Sequence, residues 1–96
     1  MVIGTMTLTY ATLAIDLPYV SSKKGRRAVL NSIKERLSAM NCSVMDISGE
    51  YPKEAQIAIS FLSPDEQSAR QKIEKIETML ASRFPDIEAV IDYESL

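Results

Sequence analysis

Two stretches with a helical repeat, each set between runs that alternate every second residue, constrain this chain more than any other feature. From Lys23 to Met40 the apolar residues Val29, Leu30, Ile33, Leu37 and Met40 recur at roughly 3.6-residue spacing. Ala69, Ile73, Ile76, Leu80 and Phe84 form a second such stripe. Around them lie strand patterns: Leu13, Ile15 and Leu17 before the first helix, Cys42 to Ile47 after it, then Ala55 to Leu62 with Ile57, Ile59 and Phe61 on one face. Ile87, Ala89, Ile91 and Tyr93 alternate at the end. Ser48-Gly49-Glu50-Tyr51-Pro52-Lys53 is turn chemistry, so the second and third strands form a hairpin.

The order is therefore β-α-β-β-α-β. Two amphipathic helices can cover only one face of a four-stranded antiparallel sheet, which is the ferredoxin-like split βαβ sandwich of the α+β class. The expected strand order is 4-1-3-2, in one domain spanning residues 1–96. The uncovered face should carry Thr12, Ala14, Asp16, Ala58, Ser60, Leu62, Val90 and Asp92. The expected core holds Leu13, Ile15, Leu30, Ile33, Leu37, Ile57, Ile59, Phe61, Ile73, Ile76, Leu80 and Ile91. Upstream, Met6, Leu8 and Tyr10 are out of phase with Leu13, Ile15 and Leu17. That change of phase predicts a bulge or a separate entry segment.

The two helix starts differ. Ser63-Pro64-Asp65-Glu66 has a Ser cap, a Pro in the first helical position and a Glu to complete a capping box. Ser22-Lys23-Lys24-Gly25-Arg26-Arg27 has a Ser cap followed by four cations, where the helix dipole favours acids. Each misplaced charge costs about 0.3–1 kcal/mol at an exposed site. Without those four, the chain holds seven basic against thirteen acidic residues, and its overall net charge is −2. A helix N-terminus joined to guanidinium groups is a ready anion site. Lys23, Arg27, Asn31 and Lys34 lie along one stripe, so the patch extends down the helix.

Several chemistries are excluded or disfavoured by residue type. The chain has no histidine, so His-based triads and His-based metal sites are absent. Its one cysteine, Cys42, sits in an apolar strand and is read as core. Three scattered glycines make no phosphate loop. RNA-recognition modules of the same topology need stacking aromatics on the open face. The positions expected there on the central strands, Ala58, Ser60, Ala14 and Asp16, do not supply them. The first fifteen residues lack a positive leader, and no stretch approaches a membrane span, so a cytoplasmic protein is expected.

Ile15-Asp16-Leu17-Pro18 followed by Ser22-Lys23-Lys24-Gly25-Arg26-Arg27 resembles a signature of the YlxP-like family, small bacterial proteins of unassigned function. Asn41-Cys42-Ser43-Val44 and Ile91-Asp92-Tyr93-Glu94 are similar to that family's second and last strands. The likeness runs from about Met6 to Glu94, which marks residues 1–5 as a candidate N-terminal extension. The resemblance implies the ferredoxin-like fold and a bacterial cytosolic setting. It also implies an association with RNA or the ribosome, through the neighbourhood of translation genes. Gly25 stands where the family has Asp, and Glu50-Tyr51-Pro52 lacks a tryptophan-containing stretch typical of it.

The function expected is a non-enzymatic binding module without cofactor or metal. It would dock on RNA or a ribosomal particle through Lys23, Lys24, Arg26, Arg27 and Lys34. Replacing Arg26 and Arg27 with Ala should then weaken binding and leave the fold intact. A homodimer is also expected, through the open sheet face or an edge strand. The alternative function is a small homo-oligomeric structural or regulatory domain that uses that open face.

Overall fold

The computed structural model describes residues 6–96, and the candidate extension at residues 1–5 lies outside them. The elements run β1 (Thr7–Asp16), α1 (Lys23–Ala39), β2 (Ser43–Asp46), β3 (Glu54–Ser63), α2 (Glu66–Arg83) and β4 (Glu88–Ser95). The sheet is antiparallel throughout, in the order β2-β3-β1-β4. This is the expected ferredoxin-like arrangement.

Strand parity separates the two faces. The odd-numbered residues of β1 and β3, among them Ala11, Leu13, Ile15, Ile57, Ile59 and Phe61, are buried in one cluster. That cluster also takes Leu30, Ile33 and Leu37 from α1 and Ala69, Ile73, Ile76 and Leu80 from α2. Both helices therefore cover the same face. Truncating one of the fully buried residues, Ile33 or Ile57 for example, to Ala should cost about 2–5 kcal/mol. Ile91 is only partly buried, contrary to expectation, because it lies on the edge strand β4. Leu17, Val20, Cys42 and Ala55 complete the core.

No bulge breaks β1. Its ladder with β3 runs without interruption from Thr7↔Ser63 to Asp16↔Glu54. An unbroken ladder preserves parity, so the inward Leu13 and Ile15 force Thr9 and Thr7 inward too. Both threonines are buried, and Thr9 shares a hydroxyl–hydroxyl hydrogen bond of 3.0 Å with Ser95. Leu8 and Tyr10 consequently point to the open face, where the apolar alternation alone had not placed them.

The helix ends follow from local chemistry, with one correction. Ser22 caps α1, its Oγ accepting the Gly25 N–H at 3.1 Å. At the far end Asn41 takes φ 61°, the left-handed position that closes a helix, and Cys42 N–H returns to the Leu37 carbonyl at 3.2 Å. In α2 the cap is Asp65, not Ser63. Asp65 accepts the Ser68 N–H at 2.7 Å, while Ser63 ends β3 and donates to the Asp65 carbonyl at 3.0 Å. A carboxylate at the cap also meets the positive end of the dipole, which a hydroxyl does not.

Candidate functional site

The five cations expected to form one anion site are divided among different tasks. Arg26 is buried, at 9% exposure. Its Nη1 donates to the carbonyls of Gly49 at 2.9 Å, Tyr51 at 2.9 Å and Glu54 at 3.1 Å. These carbonyls belong to the connection between β2 and β3 and its junction with β3. Arginine suits the task, since its charge strengthens each bond to a neutral carbonyl and its donors are fixed in a plane. Arg26 is thus withdrawn from the phosphate-binding set: its guanidinium is engaged inside the protein.

A second cation works in the opposite direction. Lys53, in the β2–β3 connection, donates from Nζ to the carbonyls of Pro18 at 2.7 Å and Val20 at 2.9 Å. Its own carbonyl accepts the Leu17 N–H at 2.8 Å. The β1–α1 and β2–β3 connections are therefore cross-tied, α1 holding one turn through Arg26 and that turn holding the entry to α1 through Lys53. The tie satisfies carbonyls that would otherwise be left without partners as the chain turns. Sequence reading missed Lys53 because nothing local distinguishes it from a solvated lysine.

The remaining members of the set sit on the surface. Lys23 pairs with the exposed Glu50 and, through that hydrogen bond, holds the Glu50 carboxyl below its ordinary range. Asp46 lies near Lys34 and Arg26. Burial pushes its carboxyl up, but the Ser48 side chain and N–H, followed by those two cations, outweigh it and hold Asp46 low. Lys24 and Arg27 are exposed, and among the described residues neither forms an ion pair or a side-chain hydrogen bond.

The wider charge distribution is more uneven than the first turn of α1 suggests. The two helices hold ten of the eleven cations and four carboxylates, a net +6. The four strands hold six carboxylates and no cation. Five of those six share the open face: Asp16 lies between Glu54 and Glu88, and Asp92 and Glu94 continue along β4. The molecule is electrically two-sided, which a net charge of −2 conceals.

Cys42 is buried, and burial raises its thiol pKa despite nearby Lys72, which suits a core residue rather than a nucleophile. Among the described residues no cluster of three His, Cys, Asp or Glu is arranged to hold a metal ion, and no helix is long and apolar enough to cross a membrane.

Element order, sheet topology and one-sided helix packing define a ferredoxin-like βαββαβ domain. The chain belongs to the family described as "Protein of unknown function (DUF503)", which matches residues 8–94. None of the curated proteins matches it. Among solved structures it is similar to a protein of unknown function from Nitrosomonas europaea, with 14% identity, TM-score 0.56 and coverage of 97% of this chain and 92% of that one. It is also similar to a C-terminal segment of the alpha subunit of aIF2 from Pyrococcus abyssi. There the identity is 18% and the TM-score 0.54, over 93% of this chain but only 51% of that one. The de novo designed protein Foldit4 matches at 10% identity and TM-score 0.54, over 93% and 96% of the two chains. At such identities these likenesses concern the fold alone.

Proposed function

We propose that this protein is a non-enzymatic module that lays its helix layer against RNA or a ribonucleoprotein, as its YlxP-like resemblance implies. The observation that supports this reading is the charge division: net +6 on the helices, with five of the six strand carboxylates on the opposite, open face of the sheet. A polyanion would approach the helices and be turned away from the sheet. The contact set is Lys24 and Arg27 first, with Lys23 and Lys34 beside them. Arg26 supports these residues from within.

Affinity for single-stranded RNA should then fall with salt. Four phosphate contacts give a log–log slope of roughly −3, at about −0.7 per contact. The double variant Lys24→Ala, Arg27→Ala should flatten that slope by about half and keep the wild-type melting temperature. Fluorescence anisotropy across a salt series measures the first, and a thermal melt the second. Wild-type binding by that variant would remove the basis for the reading.

Self-association through the open face is the second reading, favoured by the exposure of Leu8, Tyr10, Met45 and Leu62. It meets an obstacle. A face-to-face dimer brings five carboxylates from each copy into one interface that holds no cation.

A further inference from the structure

The open face has a layout that the registers fix row by row. Leu62 and Leu8 pair at one end, followed by Ser60 beside Tyr10 and then Ala58 beside Thr12. Met45 stands next to Ala58 on β2, and Val90 next to Ala14 toward β4. Leu62 is 62% exposed, Met45 62% and Val90 65%. Small residues thus floor the middle of the sheet, with large apolar side chains standing around them. The carboxylates frame this area on two sides: Glu54, Asp16 and Glu88 close the end opposite Leu8, and Asp92 and Glu94 run up β4. An antiparallel sheet can leave one face to water, but such a face usually alternates to polar residues rather than to Leu, Tyr, Met and Val.

We infer that the open sheet face is a docking surface for a cationic amphipathic helix supplied by a partner protein. The apolar side of such a helix would lie over the floor of small residues, as a helix layer does on the other face of this sheet. Its flanking lysines or arginines would meet the carboxylate frame. Charge selects the occupant. A second copy meeting it face to face would bring the same carboxylates and no cation. One presenting its cationic helices has their apolar stripes already buried in its own core, and an acidic segment or nucleic acid would be repelled. The surface is distinct from the helix layer proposed to meet RNA, and neither reading depends on the other.

The test uses the intact chain, ¹⁵N-labelled, and an amphipathic leucine–lysine helical peptide of about five turns. Amide shifts should concentrate at Leu8, Tyr10, Thr12, Ala58, Ser60 and Val90. The matching leucine–glutamate peptide, and an oligolysine of equal charge, should shift them far less. The variant Asp16→Asn, Glu54→Gln, Glu88→Gln should weaken the leucine–lysine peptide roughly tenfold at low salt. Leu8→Ser with Leu62→Ser should weaken it by at least about that much, with the melting curve checking the fold. The wild-type shift map stands even if a variant unfolds. Shifts confined to the helices, equal binding of the glutamate peptide or of oligolysine, or no shifts overturn the proposal. So does a chain that is already dimeric at about 100 μM, well above typical dimer dissociation constants, with these same amides broadened, for then a second copy is the occupant.

Discussion

The starts of α1 and α2 perform the same structural task with opposite chemistry. At α2, Asp65 caps and Glu66 follows it, so charge, cap and dipole agree within a few residues. At α1 the cap is the neutral Ser22, there is no acid in the first turn, and four cations stand against the dipole. What stabilises α1 instead is remote. Arg26 reaches residues 49, 51 and 54, and Lys53 reaches back to Pro18 and Val20. The α2 start is specified by its own neighbours, whereas the α1 start is specified by a turn more than twenty residues downstream.

If that contrast is correct, the largest single loss lies at Arg26. Arg26→Ala removes a charged donor from three carbonyls and leaves them under-satisfied near the core. The expected cost is on the order of 3 kcal/mol, read as a fall in the urea midpoint. This replaces the expectation that an Arg26→Ala, Arg27→Ala variant keeps its fold. Arg27→Ala alone should melt like wild type, since Arg27 is exposed. Arg26→Lys should recover only part of the loss, because one ammonium cannot reproduce the planar fork. If Arg26→Ala melts like wild type, the clamp contributes nothing and the contrast fails.

Next in size is Lys53→Met, which keeps most of the stem and removes the ammonium that ties the entry to α1. With its bonds partly exposed, about 1–2 kcal/mol is expected. The double variant with Arg26→Ala should lose less than the sum of the two, because both ties bind the same pair of connections. Strict additivity in a double-mutant cycle would show two independent contacts rather than one cross-tie.

Gly25→Ala should act in the other direction. The residue is helical, and an added Cβ would meet Ser22 Oγ at 3.4 Å and Val20 Cγ1 at 3.5 Å, which is ordinary contact. A gain of about 0.5–1 kcal/mol follows from helix propensity. Gly25→Glu should add a favourable charge at the dipole and bring α1 closer to the local design of α2. A loss of stability in Gly25→Ala would mean that the turn needs the freedom of glycine.

The legible part of this protein was whatever depended on period. Leu30, Ile33, Leu37 and the α2 stripe declared two helices, and the alternation around Ile57 and Ile91 declared strands, so the order and topology followed. The illegible part depended on partners far away in sequence. Met6, Leu8 and Tyr10 are out of phase with Leu13 and Ile15, and only the unbroken β1–β3 ladder shows that Thr7 and Thr9, not they, face inward. Arg26 read as a surface cation because a charge count cannot show that the carbonyls of the β2–β3 connection converge on it. Exposure of Leu8, Tyr10 and Met45 on one face was hidden for the same reason: it is a property of register, not of any strand alone.

Acid should separate the two helix starts with the smallest effect of the series. Hydrogen bonds from the Ser68 N–H and side chain hold the Asp65 carboxyl below its ordinary range, outweighing a slight opposing desolvation. A group whose folded pKa is depressed contributes stability that is full above its unfolded value and is lost as pH falls through the folded one. The α2 cap is therefore intact at neutral pH and should fail only below the ordinary Asp range. At α1 the cap is a hydroxyl and the clamp joins an arginine to carbonyls, none of which titrates there. The carboxylate paired at that end, Glu50, is exposed and meets the Lys23 side chain rather than the cap. Amide shifts report the difference directly. On acidification Ser68 should move with a midpoint below the ordinary Asp value of 3.8, while Gly25, bonded to Ser22, should stay nearly flat. If Gly25 moves with the same midpoint and amplitude as Ser68, the two starts share one acid-sensitive transition. In that case the remote clamp does not hold α1 independently of the carboxylates.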